Sequence, residues 1–358
     1  MNAISNSITR SDSEPIDVSL IVPCYNVEAY IGRCLDSLVD QKGATFEIVC
    51  VDDGSTDGTR SVLDSYAHRY SNIRIVAKDN SGLADARNAG VNAASGQFVS
   101  FIDSDDFVSG DYLETLWRGH LAYSADLIVS DLVPVSDKYV AKLRQQWASS
   151  TATYRLVPRA EVGTLLLSEA LPCAACGKLI LKEICLDHPF HSGRFHEDVE
   201  IIASYYLSAH ACVKASKPLY GYYMRKGSIT HALAPDKKQM RDFIQAYRTM
   251  EKSVIQSVGC SPAAIAHHRI ITACRFHSMA RRACGKRFDA DEAQVIVEAD
   301  EALANVSAPN LSRAVYYRYL LLKKAPLLYD AFFSIYERYG KGRVSSSLRR
   351  KPADGGEI

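Results

Sequence analysis

Apolar runs alternate with helix-like segments over the first part of the chain. The runs predict buried strands, and they cover residues 18–25, 46–53, 73–78 and 97–103, with a fifth at 126–131. The segments between them have apolar residues at helical spacing, and the second is expected to begin with Ser55 or Thr56 as its N-cap. Strands that are apolar on both faces and alternate with helices predict a mostly parallel sheet covered on both sides.

Polar side chains follow the first four predicted strands, at the points where the strands end. In such α/β sheets, ligands bind beyond the carboxyl ends of the strands, so these side chains predict a binding site at one edge. Each residue alone also fits an ordinary turn or surface position, but loops held by a rigid sheet are where sites occur. The residues are Tyr25, Asn26, Asp52, Asp53, Asn80, Asp85, Arg87, Asp103 and Asp105.

The fourth run ends in three acids, Asp103, Asp105 and Asp106, within the stretch FVSFIDSDDF. Residues two apart in an extended segment point the same way, so Asp103 and Asp105 are expected to face the cleft together. Clustered carboxylates suit Mg²⁺ or Mn²⁺, which keep waters and bind substrate phosphates. The alternative is a capping cluster for a helix beginning near Asp111, although one cap needs only one carboxylate.

Charge is unevenly distributed along the 358 residues, whose 47% hydrophobic content is enough for a large core. From residue 313 to 351, ten Lys and Arg stand against two acids. This segment carries a formal +8, which leaves −7 for the rest of a chain whose net charge is +1. The distribution argues against a general nucleic-acid binder and favours a basic end with an anionic partner, such as a membrane surface.

Cysteine usage and the first residues predict the compartment. The ten cysteines are not spaced as a small-domain disulfide framework, and Cys173 and Cys176 lack a second pair of zinc ligands, so structural thiols in a reducing cytoplasm are expected. The polar first residues lack a signal-peptide centre, and no run approaches the roughly 20 apolar residues of a membrane span. The expected location is cytoplasmic, with the inner face of the membrane as a further option.

Four segments together resemble glycosyltransferase family 2. The match covers roughly residues 17–107 and continues more weakly to about residue 230. The resemblance implies a GT-A fold, a Rossmann-like α/β sheet, and transfer of a sugar from a nucleotide diphosphate, usually a UDP-sugar, with inversion at the anomeric carbon. The segments are VSLIVPCYNVEAYIGRCLDSL, EIVCVDDGSTDGT, SGLADARNAG and FIDSDD.

The resemblance also implies roles for residues on the donor side. Pro23 and Tyr25 resemble the residues that pack on the base, with Tyr25 stacking on its ring. Asp53 resembles the carboxylate that reads the uracil imide, and Asn80 and Arg87 match positions that hold the nucleotide.

The acids of FIDSDD match the family's DxD motif. Asp103 corresponds to its first acid, near the ribose and metal, and Asp105 corresponds to the direct ligand of Mn²⁺ or Mg²⁺. A metal that bridges two phosphates stabilises the charge that builds on the departing diphosphate.

Two later segments resemble the acceptor and diphosphate sides of the family. In FHEDVEI, the resemblance assigns Asp198 as the general base and Glu197 as a supporting acid, whereas a pair of acids favoured by a helix N-terminus is the alternative. In YYMRKGSIT, Arg225 and Ser228 match residues that close over the diphosphate. A solvated turn is the alternative there.

The implied organisation has five parts: a disordered N-terminus over 1–16, a nucleotide-binding half over 17–107, an acceptor and catalytic half over 108–232, a helical region over 233–340 and a basic flexible tail over 341–358. The helical region could serve the acceptor, homo-oligomerisation or the membrane. From residue 326, Leu327, Leu328 and Ala331 fall on one helical face and Asp330 on the other. That pattern fits either a membrane-surface helix or a helix packed on the core.

Two rival functions stay open. A nucleotidyltransferase uses a related sheet and metal, but it would be expected to have a Gly-rich loop where this chain has PCYNVEAY. A non-catalytic sugar- or nucleotide-binding module is the other rival, and the presence of Asp105, Asp198 and Arg225 together argues against it. The partners expected of the enzyme are a nucleotide-sugar donor and a glycan or lipid-linked acceptor, as in surface polysaccharide or glycoconjugate biosynthesis.

Overall fold

A mostly parallel sheet organises the protein. The structure is a computed structural model that describes residues 15–224, 235–284, 290–304 and 311–335. Within these ranges, eight strands form one sheet, in which β9 runs against both of its neighbours and β8 runs against β10. Their spatial order is β3 (Ile73–Lys78), β2 (Phe46–Asp53), β1 (Val18–Cys24), β4 (Phe98–Phe101), β9 (Lys178–Leu181), β6 (Leu127–Val129), β10 (Cys212–Ala215) and β8 (Tyr154–Val157).

Three further strands, counted over the same described residues, form a small second sheet beside the first. Its middle strand pairs antiparallel with the first strand and parallel with the third. The order is β5 (Phe107–Val108), β11 (Tyr220–Tyr223) and β7 (Leu132–Val135).

Helices cover both faces of the large sheet, as predicted. Successive side chains of a strand point to opposite faces, so each strand contributes to the core on either side. Leu20 and Val22 of β1 pack in one core, on one face of the sheet, whereas Ile21 packs in a second core on the other face. The helices of this part are α1 (Glu28–Asp36), α2 (Thr59–Arg69), α3 (Leu83–Ala93), α4 (Tyr112–Tyr123), α5 (Asp137–Ala148), α6 (Arg159–Leu167), α7 (Lys182–Asp187) and α8 (Glu197–Ser208).

A helical region follows, also as predicted. Its long central helix α10 packs against α6 of the sheet domain and against α9, α11 and α12. The buried residues of the helical region, such as Phe243 and Phe276, belong to the same core as those of α8. The helices are α9 (Lys237–Ser257), α10 (Pro262–Cys284), α11 (Ala290–Ala304), α12 (Arg313–Lys324) and α13 (Pro326–Ile335).

The start of α2 was predicted wrongly. The helix begins at Thr59, and neither Ser55 nor Thr56 is its N-cap. Those residues instead tie the loop to Asn26: the Asn26 N–H donates to Ser55 Oγ (3.2 Å), and the Thr56 N–H donates to Asn26 Oδ1 (2.8 Å). Asp57 lies before the helix and accepts the Thr59 N–H (3.0 Å). The capping chemistry is thus used to join two loops at the sheet edge.

Two smaller predictions are also tested. Nine cysteines from Cys24 to Cys274 are free thiols, as expected for structural residues. Among the described helices, none is long and apolar enough to cross a membrane.

Candidate functional site

The carboxyl ends of β1, β2, β3 and β4 lie side by side, as the strand register requires. Cys24 of β1 pairs with Asp52 of β2, and Asp53 pairs with Lys78 of β3. On the other side of β1, Ile21 pairs with Phe101 at the end of β4. The loops that follow these strands therefore share one edge, which is where the sequence predicts the site.

The loop after β1 presents an exposed aromatic ring. Pro23 is buried within β1, whereas Tyr25, directly after the strand, is 48% exposed. Asn26 then adopts a left-handed backbone (φ 50°), a conformation that asparagine tolerates better than most residues, and its side chain holds the neighbouring loop. A ring that is half exposed at a sheet edge is free to stack on a planar ligand.

Asp53 joins the ends of β2 and β3. Its carboxylate is buried and accepts from Lys78 Nζ (2.5 Å), the Ser81 N–H (3.1 Å) and the Gly82 N–H (2.8 Å). These contacts fix the loop that carries Asn80, which is exposed. A carboxylate has about four acceptor sites, so a further contact to a ligand would be made beside these three.

The three acids after β4 have different environments. Asp106 is 1% exposed, its Oδ1 accepts the Tyr223 N–H (2.7 Å), and its Oδ2 accepts from the Tyr220 hydroxyl (2.8 Å). Burial, together with the nearby charges of Asp103 and Asp105, raises the pKa of Asp106. Asp103 and Asp105 are only half-buried. Asp106 is thus a structural link to the second sheet, and the other two acids reach the cleft.

Arg33 of α1 holds the backbone of the acid loop, a role that the sequence analysis missed. Its Nη2 donates to the carbonyl oxygen of Asp105 (2.8 Å), and its guanidinium lies 3.7 Å from the ring centroid of Tyr223. The Tyr223 hydroxyl in turn donates to Asp137. In sequence, Arg33 is simply a cation on an amphipathic helix, so no local signal could have identified it.

Arg87 of α3 connects two acids that lie far apart in sequence. It is 2% exposed, its Nη2 donates to Asp103 Oδ1 (2.8 Å), and its Nη1 donates to Glu197 Oε1 (2.5 Å). The Phe190 ring centroid lies 5.3 Å from the guanidinium carbon. The sequence predicts that Arg87 holds the nucleotide, but in the structure its guanidinium reaches the cleft through Asp103.

The position of Arg87 depends on the close approach of α3 to β1. A Cβ atom added at Gly90, one helical turn further along α3, would lie 2.3 Å from Ile21 Cγ2. A larger residue at this position would displace the Ile21 side chain. The packing of Gly90 therefore fixes how far Arg87 projects toward the sheet edge.

Burial dominates the electrostatics of Glu197. Desolvation raises its pKa from the ordinary 4.5 to about 7, and the charge of Asp198 adds to this effect, whereas the Arg87 guanidinium opposes it. The two acids Asp103 and Glu197 in turn raise the pKa of Arg87, although burial acts the other way. An acid poised near neutral pH beside a cleft is a common feature of functional sites.

Asp198 is the second residue of α8 and is half-buried. Its Oδ1 accepts the Val199 N–H (2.8 Å), and its Oδ2 accepts the Ala175 N–H at a longer 3.4 Å. His196, directly before the helix, adopts a left-handed backbone (φ 59°), which is uncommon for a residue with a side chain. The helix therefore begins abruptly, with Glu197 and Asp198 in its first turn.

Helix α3 also holds the loop that leads into α8. The side chain of Asn88 donates to the Phe190 carbonyl oxygen and accepts the Phe190 N–H, both at 2.9 Å. The Ser192 hydroxyl donates to Asp85 (2.5 Å). One helix thus bonds to the acid loop through Arg87 and to the α8 side through Arg87, Asn88 and Asp85.

A metal ion would have a limited set of protein ligands at this edge. No group of three or more His, Cys, Asp or Glu side chains in the described ranges is arranged to hold an ion. The half-buried pair Asp103 and Asp105 nevertheless fits Mg²⁺ or Mn²⁺, since such ions are held by one or two carboxylates together with substrate phosphates and water. The predicted diphosphate ligands Arg225 and Ser228 lie outside the described residues.

Comparison with known proteins finds a family model that matches part of the chain. Residues 19–187 match the family model "Glycosyl transferase family 2". The chain is 32% identical over 225 residues to glycosyltransferase GlyA of Streptococcus pneumoniae serotype 4, a match that covers 60% of this chain and 31% of GlyA. The chain therefore spans less than a third of the length of that relative.

Solved structures share the fold. The crystal structure of S. aureus TarS 1–349 in complex with UDP-GlcNAc superposes with a TM-score of 0.58 at 20% identity, covering 91% of this chain and 92% of that one. The mannosyltransferase PcManGT from Pyrobaculum calidifontis, in complex with GDP-Man and Mn²⁺, gives a TM-score of 0.53 at 16% identity, covering 92% of each chain. The GT-A fold expected from the sequence is confirmed. The match of residues 19–187 to the family model supports the resemblance to glycosyltransferase family 2 that the sequence motifs indicate.

Proposed function

We propose that the protein is an enzyme that transfers a sugar from a nucleotide diphosphate sugar, with UDP as the nucleotide, to an acceptor hydroxyl. One observation carries the proposal: Arg87 bonds both Asp103, at the end of β4, and Glu197, at the start of α8. Acids suited to a metal and a diphosphate therefore lie next to a helix start that offers a candidate base. Transfer between a donor and an acceptor needs both in one cleft.

The donor would lie along the edge formed by β1 to β4. The half-exposed ring of Tyr25 is suited to stacking on the base, and Pro23, two residues earlier in β1, is proposed to pack beside it. Asp53 and the exposed Asn80 lie at the ends of the adjacent strands, where they would border the base and ribose. TarS and PcManGT, which share the fold, are complexed with UDP-GlcNAc and GDP-Man.

Asp103 and Asp105 would hold Mn²⁺ or Mg²⁺ together with the phosphates of the donor. When bound, the ion supplies positive charge that stabilises the departing diphosphate. PcManGT is complexed with Mn²⁺. Arg33 keeps the Asp105 backbone in place through its carbonyl oxygen, and Arg225 and Ser228 are proposed to contact the diphosphate from the following segment.

Asp198 would be the general base. It removes the proton of the acceptor hydroxyl as that oxygen attacks the anomeric carbon on the face opposite the leaving diphosphate, so the configuration inverts. Its longer hydrogen bond, from the Ala175 N–H at 3.4 Å, leaves Oδ2 the less committed of its two oxygens. Glu197 supports the base by fixing the first turn of α8 through its pair with Arg87.

The assay that tests this function follows nucleoside diphosphate release from a panel of UDP- and GDP-sugars in the presence of Mn²⁺. Slow hydrolysis of one UDP-sugar without acceptor is expected, and it would identify the donor. Asp105→Asn should abolish the release, whereas Asp64→Asn, at an exposed pair with Arg60 on α2, should not. Release of pyrophosphate from a nucleoside triphosphate and a sugar 1-phosphate, without diphosphate release from any nucleotide sugar, would indicate a nucleotidyltransferase. Binding of a nucleotide sugar without turnover would indicate a non-catalytic module.

The acceptor is proposed to be a glycan or a lipid-linked sugar of surface polysaccharide synthesis, met at an anionic membrane. Leu327 and Leu328 of α13 are 73% and 64% exposed, and the exposed Lys323 and Lys324 precede them. Exposed leucines beside cations suit the headgroup region of anionic lipids. Asp330, which the sequence places on the opposite helical face, pairs with the buried His277 (2.8 Å), and the exposed leucines point away from the core.

Flotation with liposomes tests the membrane proposal. The full chain should float with phosphatidylglycerol liposomes at low salt and not with phosphatidylcholine liposomes, and Leu327→Glu with Leu328→Glu should abolish flotation. Leu121→Glu, at a residue 64% exposed on α4, is the matched control and should float normally. Equal flotation of the wild-type protein and the Leu327→Glu, Leu328→Glu double variant would show that α13 does not contact the membrane. A change in oligomeric size in the double variant would indicate a second copy of the chain instead.

A further inference from the structure

Arg87 is buried, whereas a side chain that binds the nucleotide directly would need to be accessible. It is 2% exposed, and both of its terminal nitrogens donate to carboxylates of the protein. Its Nε is buried and has no acceptor among the described residues. The donors of this guanidinium are therefore directed at Asp103 and Glu197 or enclosed by the protein.

The two acids that Arg87 joins belong to different halves of the cleft. Asp103 follows β4 on the donor side, and Glu197 begins α8 on the acceptor side, 94 residues later. Asn88, the next residue of α3, holds Phe190 in the loop before α8 through two hydrogen bonds of 2.9 Å. Phe190 lies in turn against the guanidinium of Arg87. Arg87 and Asn88, which are adjacent on α3, thus hold both Asp103 on the donor side and the start of α8 on the acceptor side.

We propose that Arg87 is a positioning residue, which fixes the separation between the donor acid Asp103 and the first turn of α8 that carries Asp198, and that it does not contact the nucleotide. The inference rests on the proposed function, because Asp198 must meet an acceptor beside the donor for this separation to matter. It replaces the role in nucleotide binding that the sequence predicts for Arg87.

Arginine suits this role because its planar guanidinium offers donors in a fixed fork. Two carboxylates bonded to the two terminal nitrogens are held in one plane at a set distance. A lysine at the same place would keep a positive charge between Asp103 and Glu197. Its single ammonium on a flexible stem could not hold both acids in the same geometry.

Arg87→Lys is the test, with Mn²⁺-dependent UDP affinity measured by calorimetry and donor turnover measured as kcat and KM. The UDP affinity and the donor KM should stay close to those of the wild-type protein. The kcat for transfer should fall about 100-fold, as expected when reacting groups are displaced by about an ångström. Arg248→Lys, at the exposed pair with Glu298 of α11, is the matched control and should alter neither quantity.

Glu197→Gln provides a second variant in case Arg87→Lys folds poorly. A glutamine keeps an oxygen that accepts from Arg87 Nη1, so kcat should fall less than in Arg87→Lys, and the two losses should not be additive in the double variant. Circular dichroism and the thermal midpoint establish that each variant is folded.

The outcomes separate the inference from the function on which it rests. A parallel loss of UDP affinity and kcat in Arg87→Lys would make Arg87 a nucleotide ligand, and an unchanged kcat in both variants would show that the bridge positions nothing. Either result would overturn the inference. The proposed function would still stand, provided that the wild-type protein turns over a donor. A folded wild-type protein that neither binds nor turns over any donor would overturn both.

Discussion

The sheet edge and the helical region hold their arginines in different environments. At the edge, Arg87 is buried between acids contributed by two distant segments. In the helical region, the guanidinium groups of Arg248 and Arg269 pair with Glu298 and Glu251 at partly exposed positions. The helical region also buries His268, whose pKa burial lowers, so that this side chain is neutral at pH 7.

This difference indicates which region carries the chemistry. Removing ions from water costs several kcal/mol per ion and is only partly offset by their attraction, so a buried ionic bridge is weak support for stability. Exposed pairs contribute about 0–1 kcal/mol and interfere little with the fold. We infer that the edge holds charge for function, whereas the helical region is stabilised by its apolar core. Each variant below tests that division.

The largest effect is expected from Asp198→Asn, which keeps the size of the side chain and removes its basic oxygen. The transfer rate should fall by about 10²–10⁴, the usual contribution of a general base, while the donor binds with near-normal affinity. Steady-state kinetics and donor calorimetry measure the two quantities. The control is Asp187→Asn, at the exposed end of α7. Loss of donor binding together with turnover would make Asp198 a donor ligand or a structural residue.

Next in size is the contrast between Asp105→Asn and Asp106→Asn within one loop. Asp105→Asn should weaken Mn²⁺-dependent UDP binding and lower kcat strongly without unfolding the protein, because the metal ligand is lost. Asp106→Asn should lower the free energy of unfolding by about 1–3 kcal/mol, since an amide cannot replace both hydrogen bonds to Tyr220 and Tyr223. Calorimetry and urea denaturation measure these effects. Unchanged metal-dependent UDP affinity in Asp105→Asn would contradict the assignment.

Phe276→Ala should act on stability rather than on chemistry. Phe276 of α10 is buried in the hydrophobic core, so its truncation should lower the free energy of unfolding by about 3–5 kcal/mol. Turnover per folded molecule should be retained, because the residue belongs to the helical region. Chemical denaturation and active-site titration with labelled UDP are the measurements. A fall in kcat at full occupancy of the folded state would mean that the helical region shapes the cleft directly.

The smallest effect concerns the pH dependence of stability. Burial raises the pKa of Glu197 to about 7, so between its ordinary value of 4.5 and pH 7 the folded protein binds a proton that the unfolded chain releases. Its contribution to stability is therefore complete below pH 4.5 and is lost as the pH rises to 7. Relative to Glu197→Gln, the wild-type protein should gain free energy of unfolding as the pH falls from 7 to 5. A constant difference would show that Arg87 keeps Glu197 ionised throughout this range.

Local sequence determined the elements of the sheet and the edge at which the site is built. Continuous apolar runs and the helix-like segments between them are properties of neighbouring residues, so the α/β fold could be predicted, with strand ends within two residues of Cys24, Asp53 and Phe101. The family resemblance added roles to the residues at those ends. The start of α2 was missed because Ser55 and Thr56 bond to another loop, which local capping rules do not include.

Only the tertiary structure decided how the charged groups are used. The spacing of two predicts that Asp103 and Asp105 face the cleft, but it assigns no role to Asp106. Burial against Tyr220 makes Asp106 a structural residue. The bond from Arg87 to Glu197 joins residues 110 positions apart, and Arg33 meets the Asp105 backbone across 72 positions. Hydrogen bonds and desolvation depend on distances of a few ångströms, and no pattern of neighbouring residues specifies such distances between remote parts of a chain.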